Sequence, residues 1–153
     1  NNNESDDNDD ESTNDNNNSS SNNCDNSNSN EVTIANEILY LLNEHRQNIG
    51  KSTLQLNCFA AELAIAHTEY MIEQNQISHD GFNNRFQELQ QYENAKSAGE
   101  NVAAGYASAE SVMYAWLNSD GHRANIEGNF THIGIAAIKN SEGTLYYTQL
   151  FYR

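Results

Sequence analysis

The chain has 153 residues, a formal net charge of −15 and no proline, and 37% of its residues are hydrophobic. Its sequence contains no apolar run of the roughly 18 residues that a membrane-spanning helix needs. It also lacks a basic stripe that would neutralise phosphates, on which affinity for nucleic acids depends. The composition therefore excludes a transmembrane segment, and we expect no nucleic-acid partner.

The negative charge is concentrated at the amino terminus. Residues 1–31 hold nine of the 22 acidic residues and no basic residue, so this segment carries −9 and the remaining 122 residues carry −6. The segment is rich in Asn and Ser, and a stretch with almost nothing to bury cannot offset the entropy cost of ordering it. We predict a disordered acidic spacer over 1–31 and one folded domain over 32–153.

The first residue of the chain and its two cysteines give information about where the protein is located. The chain begins at Asn1 and not at Met, so we expect that a leader has been removed. A polar spacer at a mature amino terminus suits a domain held by an upstream anchor, although no lipidation motif is visible. We therefore expect an extracellular or cell-surface location. Cys24 and Cys58 leave two alternatives, namely two free thiols or a disulfide that contributes roughly 3.5 kcal/mol through loop closure.

Helical spacing of apolar residues comes first along the ordered part of the chain. It predicts a first helix over 32–48, which a following glycine ends. Asn57 is a suitable N-cap for a second helix, and Ser108 is suitable for a third, which we expect to stop at Asp120–Gly121. The stretch 75–99 between them is polar, and we expect one or two short helical turns in it.

Alternating apolar residues follow at the carboxyl end. They occupy 133–137 and 145–151, and a turn over 139–143 separates them, which predicts a β-hairpin. The segment 99–103 fits either a further strand or an extended loop. Because helices come first and strands last without strict alternation, we predict an α+β fold in which helices cover an antiparallel sheet.

Two of the five histidines stand out. His45 and His67 share helix faces with apolar residues, and His132 precedes a strand without a local carboxylate, so these three are interpreted as structural. His79 and His122 each lie beside a glycine in a predicted loop, where binding groups concentrate. A neutral imidazole is a common metal ligand and a natural general base. The two residues match no local zinc pattern, so their spacing alone does not join them in one site.

Six segments of the sequence resemble the CAP superfamily, which comprises cysteine-rich secretory, antigen 5 and pathogenesis-related 1 proteins and is also called SCP-like. They occur in the family's order within 32–153. The segments are 42–46 (LNEHR), 78–82 (SHDGF), 99–103 (GENVA), 115–126 (AWLNSDGHRANI), 130–135 (FTHIGI) and 147–151 (YTQLF). The resemblance implies an α-β-α sandwich, and the lack of a cysteine-rich extension resembles the compact bacterial branch.

The resemblance also implies a site. In the family, two histidines and two glutamates line a central cleft, and the histidines can hold zinc or another divalent metal. Carried over, the metal ligands are His79 and His122, and the first glutamate is Glu100. The position of the second glutamate is Ser119 here. General-base work would therefore fall to Glu100, the candidate catalytic residue, or to Asp120.

The incomplete set of carboxylates favours a binding or interaction module over an enzyme. Its ligand would be a protein, a peptide or a small molecule. The alternative is a metal-dependent hydrolase, either a protease or a nuclease, in which Glu100 is the base. A third possibility is a structural scaffold with a vestigial cleft. Arg123 stands where eukaryotic members commonly have an aromatic residue, so we do not expect their sterol or lipid binding.

Overall fold

A computed structural model describes Cys24 and residues 29–153. Its helices are α1 (Ser29–Asn48), α2 (Cys58–Glu73), α3 (Phe82–Glu93), α4 (Ala109–Leu117) and α5 (Asp120–Ile126). Its strands are β1 (Gln55–Leu56), β2 (Ala98–Ala104), β3 (His132–Lys139) and β4 (Leu145–Tyr152). Most of the spacer predicted over 1–31 lies outside the described residues, and the backbone of 29–31 belongs to α1.

The strands form one sheet in the order β1-β3-β4-β2. Strand β4 pairs antiparallel with both β3 and β2, whereas the two-residue β1 pairs parallel to β3. The α+β prediction is confirmed, with a mixed sheet in place of a purely antiparallel one. The segment 99–103, for which a strand and a loop were both open, lies within the edge strand β2.

Helices cover both faces of this sheet. Alternate residues of β3 and β4 point to opposite faces, as the twofold period of a strand requires. One face packs against α1, α4 and α5 through residues that include Ile38, Trp116, Ile133 and Phe151. The other face packs against α2 and α3 through residues that include Ala60, Leu89, Ala136 and Leu150. The result is an α-β-α sandwich, and no described helix is both long and apolar enough to span a bilayer.

Local signals set where the helices begin. Asn57 Oδ1 accepts a hydrogen bond from the Ala60 amide at 2.8 Å, and Ser108 caps α4 as predicted. The predicted end of that helix at Asp120–Gly121 was wrong, since α4 ends at Leu117. Ser119 adopts extended angles (φ −116°, ψ 119°) and is the N-cap of α5. Asp120 and Gly121 therefore begin a new helix instead of ending the previous one.

A disulfide joins Cys24 to Cys58, the first residue of α2. The sequence left open whether the two cysteines are free thiols or form a disulfide, and in the structure they form the disulfide. The two residues are 34 positions apart, so the bond closes a long loop and holds Cys24 beside the start of α2.

Removing this bridge should destabilise the protein. We expect the Cys24→Ser/Cys58→Ser variant to lose about 2 to 4 kcal/mol of unfolding free energy, because its unfolded chain regains the entropy of an open loop. Urea denaturation monitored by circular dichroism measures the loss. The wild type in reducing agent is the control and should match the variant. Equal stability of the variant and the oxidised wild type would contradict the expectation.

Candidate functional site

Glu100 is a buried carboxylate on the edge strand β2, with a side chain only 2% exposed. A buried charge must be paired to be tolerated. Arg85 of α3 provides the pair, since its Nε donates to Oε2 at 2.7 Å and its Nη2 donates to Oε1 at 2.8 Å. The remaining Nη1 of Arg85 donates to the Asp80 carbonyl at 2.8 Å. This two-point ion pair fixes the orientation of the carboxylate.

His79 lies in the loop between α2 and α3 and contacts the same carboxylate. Its Nδ1 is 2.9 Å from Glu100 Oε1. Because the carboxylate accepts, Nδ1 carries a proton, and in the neutral form of the ring Nε2 has the lone pair that a ligand would use. The side chain is 55% exposed, so Nε2 is accessible to a ligand. A carboxylate on one ring nitrogen is the usual way in which proteins orient a metal-binding imidazole.

His122 lies in the first turn of α5 and not in a loop, so that part of the prediction was wrong. Its Nδ1 is 2.8 Å from the Ser119 hydroxyl oxygen. Ser119 stands at the position of the family's second glutamate, and here a hydroxyl meets the imidazole in place of a carboxylate. Burial, and secondarily the charge of His79, lower the pKa of His122.

Side-chain amides attach α5 to the edge strand. Asn101 Nδ2 donates to the His122 carbonyl at 3.1 Å. Asn125 Nδ2 donates to the Glu100 carbonyl at 3.1 Å and to Asn101 Oδ1 at 2.9 Å. Adjacent residues of β2 thus support the two histidines, because Glu100 orients the His79 ring and Asn101 holds the backbone at His122.

Asp120 is not brought into this arrangement. Its carboxylate is 96% exposed and pairs with Arg123 Nη2 at 2.8 Å. Among the described residues it has no hydrogen bond or ion pair to His79 or His122. The structure therefore joins His79 to Glu100 and His122 to Ser119, and it leaves Asp120 at the surface. In the described part of the chain, no three His, Cys, Asp or Glu side chains are grouped as a metal site.

The remaining histidines mostly follow the prediction. His45 Nε2 contacts Glu127 Oε1 at 2.8 Å, and the His132 ring stacks on Tyr152 with centroids 5.0 Å apart. His67 is buried on α2 as expected, but it also lies beneath the site. Its Nε2 donates to the Ser78 carbonyl at 2.7 Å and is 3.7 Å from Glu100 Oε1. His67 therefore holds the residue that precedes His79.

Arg85 is the site residue that the sequence analysis missed. A signal for it exists, because Arg85 falls between Phe82 and Leu89 at helical spacing, on the face that packs against the sheet. A guanidinium on such a face needs a buried anion. Spacing alone does not identify the anion, since Glu100 is 15 residues away on a strand.

His67 should make the free energy of unfolding decrease as the pH is lowered. Burial is the main cause that lowers its pKa. The unfolded chain therefore binds a proton below the ordinary histidine pKa of about 6.5 while the folded chain resists it, so stability is lost as pH decreases below that value.

Urea denaturation of the metal-free protein at about pH 7.5 and about pH 5.5 measures this dependence. We expect His67→Gln, whose amide can also donate to Ser78, to be less sensitive to pH than the wild type. The comparison is between the two pH values within each protein, so the cost of the substitution itself cancels. An unchanged pH dependence in the variant would contradict the role of His67.

Comparison with known proteins places the chain in a family. The family model "CAP: Cysteine-rich secretory protein family" matches residues 39–151. The chain is 34% identical over 108 residues to "Uncharacterized protein YkwD" of Bacillus subtilis, covering 68% of this chain and 42% of that protein. It is 33% identical over 127 residues to "Uncharacterized membrane protein YlbC" of the same organism, covering 79% of this chain and 35% of that protein.

A solved structure agrees with these matches. It is the crystal structure of an extracellular protein containing a SCP domain from Bacillus anthracis, with 31% identity and a TM-score of 0.70. The match covers 80% of this chain and 41% of that one. The chain thus spans about two fifths of the length of the relatives it matches. On the strength of these matches and of the sandwich fold, the chain belongs to the CAP family, the cysteine-rich secretory protein family.

Proposed function

We propose that this CAP domain is part of an exported protein and acts as a binding module whose cleft holds a divalent metal ion, zinc among others, through His79 and His122. The observation that carries the proposal is the His79–Glu100 contact of 2.9 Å, which fixes the ring and leaves its Nε2 accessible. The Ser119–His122 contact of 2.8 Å also orients the second ring.

The residues present fit a metal ion bound by two imidazoles. Neutral imidazole is a common zinc ligand, and the lowered pKa of His122 keeps its ring neutral at pH values where an ordinary histidine is partly protonated. No third His, Cys, Asp or Glu in the described part of the chain joins them. We therefore expect weak binding that leaves coordination positions for water or for a donor atom of the ligand.

The contacts of Glu100 support a binding module over a hydrolase. A general base must lie within hydrogen-bond reach of the proton that it removes. Both oxygens of Glu100 already accept hydrogen bonds from Arg85 or His79, and the side chain is 2% exposed. We infer that Glu100 positions His79. For a nuclease in particular, the negative charge of the domain would repel phosphate.

Two observations support export. The Cys24–Cys58 disulfide is typical of oxidising compartments outside the cytosol. The Bacillus anthracis relative is described as extracellular, while YlbC is named a membrane protein, so an extracellular or surface-held location suits both. The acidic spacer would then hold the domain away from its anchor, and a protein, peptide or small molecule would be the ligand.

Isothermal titration of the metal-free protein with zinc at about pH 7.5 tests the metal claim. We expect the His79→Ala/His122→Ala variant to bind zinc at least about tenfold more weakly than the wild type, a loss of about 1.4 kcal/mol or more. The matched control is His45→Ala/His132→Ala, which removes two imidazoles outside the cleft and should bind as the wild type does. Equal zinc binding by the cleft variant and the wild type would refute the proposal.

A further inference from the structure

A groove lies between α2 and α3, next to the candidate site but separate from its exposed histidine nitrogens. It has a volume of about 380 Å³, within the range of small-ligand sites. One wall is formed by Leu63, Ala66 and the Tyr70 ring of α2. Asp80 and Glu88 lie on the side of the α2–α3 loop and α3. We refer to it as the α2–α3 groove.

The charge of the groove is negative. Asp80 and Glu88 are exposed, and neither has an ion-pair partner in the described part of the chain. Arg85 also borders the groove, but its three nitrogens donate to Glu100 and to the Asp80 carbonyl. Its positive charge is therefore already compensated, and the two carboxylates remain available to a cation.

A buried histidine ring also borders the groove. His67 borders the groove and is 3% exposed, and its Nε2 donates to the Ser78 carbonyl. Its Nδ1 is therefore an acceptor in the neutral ring. Among the described residues, Nε2 is the ring nitrogen of His67 that has a hydrogen-bond partner.

The apolar wall suits an aliphatic chain. The Tyr70 ring stacks on His67 with centroids 6.0 Å apart, and its hydroxyl donates to Asp80 Oδ2 at 3.0 Å. The ring is thereby held in place beside Leu63 and Ala66. Lysine and arginine side chains pack their methylene stems on such surfaces while their charged heads take hydrogen bonds, and a cation also gains from an aromatic face.

We propose that the α2–α3 groove binds an ammonium or guanidinium group on an aliphatic stem, as carried by a lysine or arginine side chain of a partner protein. Two exposed carboxylates beside one apolar wall match one stem with one cationic head. The groove includes neither of the proposed metal ligands. This proposal therefore goes beyond the binding module proposed above, and a failure of zinc binding would not affect it.

Titration of the metal-free protein in EDTA, followed by ¹H–¹⁵N NMR, tests the groove. The probes are the Nα-acetyl methylamides of lysine and arginine, with norleucine as an uncharged stem. We expect the lysine and arginine probes to shift amides of α2 and α3 saturably and to bind at least about tenfold more tightly than the norleucine probe. Equal binding of the norleucine probe would overturn the proposal.

Two double variants distinguish binding in the groove from attraction to the overall negative charge of the protein. Asp80→Asn/Glu88→Gln should weaken lysine binding about tenfold. Glu44→Gln/Glu142→Gln removes the same charge from exposed residues elsewhere and should leave binding unchanged. Equal weakening in both variants would overturn the site. A free diamine, cadaverine, is the last probe, and tighter binding of it than of either amino-acid probe would overturn the assignment to a protein side chain.

Discussion

Replacing Gly134 with valine should abolish folding or lower the free energy of unfolding by about 4 kcal/mol or more. Gly134 lies in β3 on the face that packs against α2. A Cβ added there would overlap the backbone of Ala60 and Ala61, closer than any real contact. Backbone atoms cannot rotate away as a flexible side chain can, so α2 would have to move off the sheet and lose its burial.

Urea denaturation of a short series measures the effect. Gly134→Ala already introduces the clashing atom, so it should also be clearly less stable than the wild type. Gly121→Ala is the matched control, because an added Cβ there meets nothing within 4 Å, and it should change stability by less than about 0.5 kcal/mol. Wild-type stability of Gly134→Ala would contradict the direct contact of α2 with β3.

Arg85→Met should lower the free energy of unfolding by about 3 to 5 kcal/mol, since it leaves the charge of Glu100 buried without its partner. Methionine has a similar length and keeps much of the packing. The carboxylate loses two hydrogen bonds, of 2.7 and 2.8 Å, and keeps the contact with His79. Chemical denaturation at neutral pH measures the loss.

A double-mutant cycle separates the lost ion pair from lost packing. Arg85→Met/Glu100→Leu removes the stranded charge as well, so it should recover most of the stability that Arg85→Met loses. Additive losses in the double variant would mean that the two residues do not act as a pair. The same result would mean that Arg85 does not fix the orientation of the Glu100 carboxylate.

Local signals predicted the parts of the fold that depend on local chemistry. Asn57 and Ser108 cap helices because their side chains reach amides within the next turn, and the hairpin follows from its alternation. Strand β1 has two residues, which is too short to display a period. The break between α4 and α5 depends on the extended conformation of Ser119, which a serine at that position does not by itself dictate.

The candidate site, like the fold, could be predicted from the sequence only in part. The resemblance supplied His79, Glu100 and His122 as a set, because residue types in a known order carry that information. It could not supply Arg85, the partner of Glu100 on another element. Asp120 looked available as a base from its place in the sequence, yet it lies at the surface with Arg123.

The most direct test of the account is a long-range ¹H–¹⁵N NMR spectrum of the imidazole rings, recorded before and after zinc is added. We expect a proton on Nδ1 of His79 and a zinc-induced shift of Nε2 in both His79 and His122. His45, His67 and His132 should keep their resonances. Zinc shifts confined to these other histidines, or no shift at either cleft residue, would contradict the account.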